Sequence, residues 1–253
     1  MSKPQSQAMA RPLAPVTPAF DAPQTADEQR VHQAIVDAVL SQQLPPGTRL
    51  VETPLCEAFG VNRSLLRRVF VRLANERVIE LHHNRGASVA QPSQHEMHEV
   101  FDVRRVVEAG IVRRLCRCAE PAVFAGLRAL VGDEREAYLG GDRGRWLRLS
   151  GEFHVAAARA LGNAELEAML ERLVARTTLM KALYQPPGGN VCSFDEHAAI
   201  VEAMAQGDIE RATELMDRHL QDSEGKLKRE PEREVNLLQL FKRPADKARR
   251  RAR

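Results

Sequence analysis

The segment from Pro45 to Val89 constrains the fold more than any other part of the chain. Apolar residues recur at helical spacing on both sides of Gly60, which predicts two short helices joined by a tight turn with Gly60 in a left-handed conformation. Thr53 is expected to cap the first of these helices, and Asn62 or Ser64 the second. The order of elements is that of a helix-turn-helix.

Residues on either side of this pair complete the module. Residues 27–43 carry an apolar stripe at helical spacing and predict a preceding helix. Residues 78–81 and 87–90 flank a polar tip at 82–86, which predicts two strands and a wing. We therefore expect residues 27–92 to form a winged helix-turn-helix of three helices and a two-stranded wing.

The last of these three helices is rich in arginine on the face opposite its apolar residues. A guanidinium group can grip phosphate and can donate two hydrogen bonds to guanine in the major groove. A basic face that is merely solvated is the alternative, but here it comes with the helix pair and the wing. The predicted DNA contacts are Thr53, Asn62, Arg63, Ser64, Arg67, Arg68, Arg72 and Arg85.

The distribution of charge agrees with this placement better than the net charge of +3 does. Residues 226–253 hold eleven Lys and Arg against four Asp and Glu, whereas residues 93–225 hold sixteen against twenty-two. The acidic middle of the chain is a poor surface for nucleic acid, so DNA contact is expected in the first module. The basic end, residues 226–253, is expected to be a solvated tail that adds non-specific attraction to phosphate. Within it, residues 235–241 are expected to form a short helix that docks on another part of the protein.

The motifs of the first module resemble the N-terminal domain of the GntR family of bacterial transcription regulators. The resemblance covers LPPGTRLVETPLCEAFGVNRSLLRRVFVRLANERVIELHHNRGASVA and includes the Leu-Pro-Pro-Gly opening, the Gly-Val-x-Arg turn and the Asn-Arg-Gly tip. Asn62 stands where the family usually has Ser or Thr, and Arg67-Arg68-Val69-Phe70 replaces the family's usual run. The resemblance implies the same docking on DNA with an altered operator sequence.

Residues 93–225 read as successive amphipathic helices with short connections. Ser93 caps a long first helix, and Gly or Pro residues separate the others. The five further helices are expected at about 121–139, 142–161, 163–184, 193–206 and 209–224. The fold class is therefore mainly α, with an all-α bundle of six helices that is large enough for an internal cavity.

Three histidines of the predicted bundle, His154, His197 and His219, follow or precede apolar residues that face its interior. One such histidine is more often a core residue than a ligand, but three converging imidazoles can hold a divalent metal such as zinc. A metal-dependent enzyme is one alternative. No His-Glu-x-x-His pair, nucleophile elbow or phosphate-binding glycine loop accompanies the histidines, so we expect no enzyme.

This part of the chain resembles the FCD domain, the helical effector-binding domain of FadR-type GntR regulators. The resemblance rests on the segments 103–108, 152–154, 196–197 and 207–220. It implies that the three histidines bind a divalent ion, together with an acidic residue one turn before His154, and that the ion helps to hold a carboxylate effector. Ser150 occupies that acidic position, so the alternatives for the fourth ligand are water, the effector itself or none, and members of this domain family without metal also exist. The substitutes to consider are Asp102, Glu108, Glu152 and Cys192.

The same resemblance implies that Arg104 faces the cavity and pairs with the carboxylate of the effector. An i,i+4 salt bridge from Arg104 to Glu108 is the alternative, and both can hold at once. Tyr184 is the second predicted effector contact, with weaker support for Arg176 and Lys181 on the same helix.

The predicted function is a ligand-controlled transcription regulator. A homodimer would present two recognition helices to a roughly palindromic operator, and a small carboxylate effector would change their separation. A non-specific DNA-architectural protein is the remaining alternative. Residues 1–26 lack periodicity, so we expect a disordered lead-in. They also lack an apolar export signal, so we expect a cytoplasmic protein with reduced cysteines. We expect no membrane span.

Overall fold

The computed structural model describes residues 25–83, 86–186, 193–228 and 235–241. The wing-tip residue Arg85, the candidate ligand Cys192, the lead-in before Thr25 and the basic end after Phe241 lie outside the described residues. Predictions that concern them stay predictions.

The first module is a winged helix-turn-helix, as predicted. Its helices pack around a core that includes Ile35, Leu55, Leu66 and Phe70, all of them buried. The elements are α1 (Ala26–Leu40), β1 (Arg49–Leu50), α2 (Glu52–Phe59), α3 (Arg63–Asn75), β2 (Ile79–His82) and β3 (Gly86–Val89).

The turn between α2 and α3 has the predicted conformation, but the start of α2 differs from the prediction. Gly60 has φ +66° and ends α2 in the left-handed region, which favours glycine. Asn62, and not Ser64, caps α3 through a hydrogen bond from the amide of Leu65. The prediction that Thr53 caps α2 is wrong: α2 begins one residue before Thr53, and Val51 precedes it with no side chain that can accept a hydrogen bond.

The wing belongs to a sheet with one strand more than predicted. Strands β2 and β3 pair antiparallel from Ile79↔Val89 to His82↔Gly86. Strand β1 pairs antiparallel with the other edge of β3, through Arg49↔Ser88, so the order is β1-β3-β2. A strand of two residues is too short to show the alternation by which strands are found in a sequence.

The second module is the predicted bundle of six helices, and the observed bounds lie close to the expected ones. Its first helix carries a capping box between Ser93 and Glu96. The helices are α4 (Gln94–Cys118), α5 (Pro121–Leu139), α6 (Arg143–Arg159), α7 (Ala164–Tyr184), α8 (Ser193–Ala205) and α9 (Ile209–Gly225). Helix α4 packs on α7 and α9, α6 lies between α5 and α7, and α8 contacts α5 and α9.

The two modules meet at the C-terminal end of α7. The Tyr184 hydroxyl donates to the carbonyl of Pro92 in the linker at 3.3 Å. The carbonyl of Gln185 accepts from Gln42, which follows α1, at 3.1 Å and from Arg143 at 2.9 Å. Helix α7 therefore touches the first module directly.

A last short helix, α10 (Leu237–Phe241), returns to the first module. It packs against α2, with the ring centroids of Phe59 and Phe241 4.8 Å apart and Leu237 buried. The helix expected at 235–241 is thus present, and it docks on the first module.

Among the described residues, no helix combines the length and the apolar character that crossing a membrane would require.

Candidate metal centre and DNA-binding face

The bundle brings the three predicted histidines together in its interior. His154 comes from α6, His197 from α8 and His219 from α9, and each is at most 3% exposed. One ligand atom from each lies within 4.8 Å of the others. The Nε2 atoms of His197 and His219 are 3.1 Å apart. Three helices from different parts of the sequence thus share one centre.

Each histidine also has a carboxylate at its Nδ1 atom. The pairs are His154 with Glu108 at 2.5 Å, His197 with Glu134 at 2.7 Å and His219 with Glu196 at 2.6 Å. A carboxylate at Nδ1 accepts the ring proton there and leaves Nε2 with a free lone pair. Two such lone pairs at 3.1 Å repel each other unless a cation lies beside them. The donor set therefore fits a divalent metal.

The protonation of the cluster agrees with that fit. Burial holds the pKa of His154 well below its usual value, and the nearby Arg104 lowers it further. The pKa of His219 is also well below its usual value, first because of burial and then because of the neighbouring His197. Both rings are neutral near pH 7, and the neutral imidazole is the form that binds a metal.

The fourth position of the family pattern departs most from a metal site. Ser150 is buried one turn before His154, and its hydroxyl accepts a hydrogen bond from Lys181 Nζ at 3.1 Å. Lys181 is 7% exposed. Burial lowers the pKa of Lys181 to about 8, although the Glu134 carboxylate opposes the shift. A serine bonded to a buried cation therefore stands where the pattern has a carboxylate.

The described candidates for a substitute carboxylate are engaged elsewhere. Glu108 accepts from Arg104 and lies on the Nδ1 side of His154. Asp102 is exposed and pairs with Arg105 at 2.9 Å. The side chain of Glu152 pairs with Arg159 at 2.8 Å on the surface. None of these offers an oxygen to the centre in this arrangement.

Arg104 lies beside the histidines, as the resemblance implies. It is 3% exposed and donates from Nε to Glu108 at 2.7 Å and from Nη1 to Thr177 at 2.7 Å. Burial raises the pKa of Glu108, and the guanidinium opposes that shift. The Nη2 atom of Arg104 is buried without a hydrogen-bond partner. The alternative salt bridge is therefore real, and one donor is still free for a ligand.

Tyr184 occupies a different place from the one its predicted role suggests. It follows Thr177 and Lys181 along one face of α7, but its hydroxyl donates to Pro92 in the linker. Effector binding by Tyr184 stays a prediction. The structure gives this residue a contact at the junction of the two modules.

Most of the predicted DNA contacts share one exposed face at the start of α3. Arg63, Ser64, Arg67 and Arg68 are exposed. Arg67 forms a two-pronged ion pair with Glu52, at 2.8 and 3.2 Å. Arg63 donates to the Thr53 hydroxyl at 3.3 Å, which places Thr53 on this face. Asn62 is exposed at the beginning of the same helix.

Arg72 is less exposed than Arg67 and Arg68. It is half-buried and pairs with Glu76 at 2.7 Å, and Glu76 in turn contacts His32 of α1 at 2.6 Å. Burial raises the pKa of Glu76, but hydrogen bonds from His32 and Arg72 hold it below its usual value. This network joins α3 to α1, so Arg72 has a structural task besides any contact with DNA.

Sequence reasoning missed Thr177 and the carboxylates of Glu134 and Glu196. Glu134 interrupts the apolar stripe of α5 between Val131 and Ala137, which is a usable signal for a buried polar group. Glu196 directly precedes His197 in the sequence. Nothing in the sequence pairs either carboxylate with its histidine, because the partners lie on different helices.

Comparison with known families matches both modules. Residues 27–89 match the family described as bacterial regulatory proteins, gntR family. Residues 99–222 match the FCD domain. The two matches meet close to the linker, and neither reaches α10.

Curated relatives cover most of the chain at modest identity. An uncharacterized HTH-type transcriptional regulator of Streptomyces ambofaciens is 27% identical over 191 residues, covering 72% of this chain and 77% of the relative. A protein of Paenarthrobacter nicotinovorans, described as a probable D-xylose utilization operon transcriptional repressor, is 25% identical and covers 76% and 84%. Both relatives are described as transcriptional regulators.

Solved structures share the fold. A GntR transcriptional regulator from Rhodococcus sp. RHA1 superposes with a TM-score of 0.68 at 24% identity, over 79% of this chain and 97% of the other. McbR/YncC of E. coli superposes with a TM-score of 0.62 at 18% identity, over 79% and 95%. These structures show the shared fold, and the two family matches show that the chain belongs to the GntR family of bacterial transcription regulators, in the group whose second domain is an FCD domain.

Proposed function

We propose that this regulator binds a palindromic operator as a homodimer in the bacterial cytoplasm and releases it when a small carboxylate enters the FCD domain. The observation that carries the effector part is the free, buried Nη2 atom of Arg104 beside three converging histidines. A buried guanidinium donor without a partner is costly, so a ligand acceptor there is expected. The description of one relative as a repressor favours repression over activation.

The exposed start of α3 supports direct contact with bases. In a helix-turn-helix the N-terminal part of the second helix enters the major groove. Arg63, Ser64 and Arg67 lie there, and Glu52 holds Arg67 on the surface through its ion pair. Guanine or phosphate can take the place of that carboxylate at similar distances. Arg68, Arg72 and the wing residue Arg85 are proposed as further contacts, mainly to phosphate.

Selection from a pool of random DNA duplexes tests the DNA part. We expect the purified protein to enrich a palindromic sequence, because a symmetric dimer reads two equivalent half-sites. Arg67→Ala should lose at least about tenfold in preference for that sequence over random DNA. Arg145→Ala, which removes an exposed arginine of α6, is the matched control. Binding without any enriched sequence would contradict the proposal and favour a DNA-architectural protein.

The second part of the proposal is a divalent metal held by Nε2 of His154, His197 and His219. The carboxylates on the Nδ1 side support it, because they orient the rings and make them better ligands. When bound, the ion supplies a positive centre that attracts a carboxylate oxygen. Ser150 adds no ligand of comparable strength, so one position stays open for water or the effector.

Arg104 orients the effector in this proposal. Its Nε and Nη1 atoms are fixed by Glu108 and Thr177, so the guanidinium plane cannot turn away. Its Nη2 atom then offers a preset donor to a carboxylate next to the histidines. Replacing Arg104 with Ala is expected to leave DNA binding intact and to remove the response to the effector.

Helix α7 connects the effector site to the first module. Thr177 and Lys181 contact the site from the middle of α7, and Tyr184 and Gln185 contact the linker and Gln42 at its end. An effector that shifts α7 relative to α4 and α6 changes these contacts. It controls DNA binding only if it favours one of the two arrangements.

Elemental analysis of the purified, untagged protein tests the metal. We expect close to one divalent ion per chain, and a loss of that ion in His197→Ala. His95→Ala removes an exposed histidine of α4 and should leave the metal content unchanged. A metal-free protein after purification and incubation with zinc would overturn the metal part and leave Arg104 as the carrier of the effector proposal.

A further inference from the structure

Lys181 is a buried cation with unused hydrogen-bonding capacity. An ammonium group has three donors, and among the described residues Lys181 Nζ donates to one acceptor, the Ser150 hydroxyl. The Trp146 ring lies beneath it, with Nζ 5.7 Å from the ring centroid. Within the described ranges, no carboxylate lies within ion-pair distance of Lys181. In a lysine with a purely structural role, the ammonium group is expected to reach solvent or to form an ion pair with a carboxylate.

Arg104 offers a second unfilled donor close by. Its Nη1 atom bonds Thr177, which is one helical turn before Lys181 on the same face of α7. Residues four apart on a helix have Cβ atoms about 5–6 Å from each other. Arg104 is joined to His154 through Glu108, which lies 2.7 Å from Arg104 Nε and 2.5 Å from His154 Nδ1, and Lys181 is bonded to Ser150, one turn before His154. The free donors of Arg104 and Lys181 therefore border the same region beside the histidines.

The positive and negative side chains around the histidines cancel one another when no metal ion is bound. Arg104 pairs with Glu108 at 2.7 Å, and Lys181 is attracted by Glu134 at longer range. At the rim, Lys226 lies 3.5 Å from Glu196. A divalent ion adds two positive charges, and Ser150 brings no carboxylate to offset them. Uncompensated charge in a buried site is strongly unfavourable, so a ligand with two negative charges fits best.

We infer that the effector is a short-chain dicarboxylate, with one carboxylate on Nη2 of Arg104 and the other on Lys181 and Ser150. This inference rests on the proposed function, because it assumes that the effector binds beside the histidines. Two donor groups on different helices can each bind one carboxylate of a dicarboxylic acid, whereas a compact dianion such as phosphate carries its charge in one place. Lys181 and Ser150 are then the residues that select between monocarboxylates and dicarboxylates.

Calorimetric titration of the zinc-loaded full chain tests the inference. The probes are malonate, succinate and glutarate, the monocarboxylates of equal length (propionate, butyrate and valerate), and inorganic phosphate. We expect at least one dicarboxylate to bind about tenfold or more tightly than its monocarboxylate counterpart. Lys181→Met should remove this preference by weakening only the dicarboxylate. Lys228→Met, which removes an exposed lysine, should preserve it.

A second variant tests the same idea by adding a negative charge to the site instead of removing a positive one. Ser150→Asp restores the carboxylate of the family pattern, pairs with Lys181 and leaves one positive charge to be matched. We expect the preference to shift toward monocarboxylates. This variant does not depend on the fold tolerating the loss of Lys181, and its melting temperature and zinc content report whether the site is intact.

The outcomes separate the two proposals. If monocarboxylates bind as tightly as dicarboxylates and neither variant changes the ratio, the dicarboxylate inference is wrong while a carboxylate site stands. If phosphate binds more tightly than every dicarboxylate, the ligand is a compact dianion and the inference is also wrong. If no carboxylate binds and Arg104→Ala changes nothing, the proposed effector site itself fails.

Discussion

Replacing Lys181 with Met should stabilise the metal-free protein. Burial lowers the pKa of this lysine from 10.5 to about 8, and one pKa unit corresponds to about 1.4 kcal/mol. The charged side chain therefore costs the fold about 3 kcal/mol near pH 7. The substitution also removes the hydrogen bond to Ser150, which contributes about 1 kcal/mol. Met fills a similar volume, so the free energy of unfolding should rise by about 2 kcal/mol.

The pH dependence gives the same prediction a signature. The pKa of Lys181 is lower in the folded protein, so the unfolded chain binds more protons between about pH 8 and pH 10.5. Stability contributed by this group therefore rises with pH across that window, and the full penalty is present below about pH 8. The Met variant lacks this term. The advantage of the variant over the wild type should shrink as the pH rises from about 8 to 10.5.

Thermal unfolding of metal-free protein measures both effects. A gain of about 2 kcal/mol corresponds to a melting temperature higher by about 4–8 °C for a chain of this size. Lys228→Met changes an exposed lysine and should shift the melting temperature little at any pH. If Lys181→Met is less stable than the wild type, or if its advantage does not change between about pH 8 and pH 10.5, the lysine is not the buried, poorly compensated cation described above.

Three other expectations can be measured on the same material. Below about pH 6.5 the metal-free protein should lose stability, because the folded pKa values of His154 and His219 lie below those of the unfolded chain; a melting temperature equal at about pH 7.5 and 5.5 would refute this. Gly151→Ala should destabilise the protein by about 1–3 kcal/mol in urea unfolding, because the added Cβ would lie 2.9 and 3.0 Å from side-chain atoms of α7. The control Gly144→Ala, on the same helix, should stabilise the protein by about 0.5–1 kcal/mol. Equal effects of the two substitutions would contradict the described packing of α6 on α7. Leu237→Ser should release α10, and hydrogen exchange in α2 should become faster; unchanged exchange would show that α10 does not protect α2.

The helices were predictable because the sequence separates them clearly. Pro121, Gly140, Gly162 and Gly207 stand at or near breaks that the structure shows. Two features were not predicted correctly: strand β1, which has two residues, and the start of α2, which follows Val51 without a polar cap. Neither feature leaves a periodic pattern or a capping residue that could be read in advance.

The site was predictable only in part, for a different reason. The histidines and Arg104 belong to motifs of the FCD domain, so resemblance pointed to them. The partnership of Lys181 with Ser150 and that of Glu134 with His197 join helices that are far apart in sequence. Such pairs depend on how the helices pack, and the apolar pattern of one helix does not show which residues of other helices it will contact.

The docking of α10 on α2 changes how freely the two domains can move. The linker before Ser93 connects the domains covalently, Gln42 and Gln185 join them at the end of α7, and α10 adds a further contact through Phe241 and Phe59. A domain held by one linker alone can swing about a hinge, but a domain held at several separate places keeps one orientation until some of these contacts break. In the proposed switch, an effector therefore has to break or shift these contacts before the two domains can reorient.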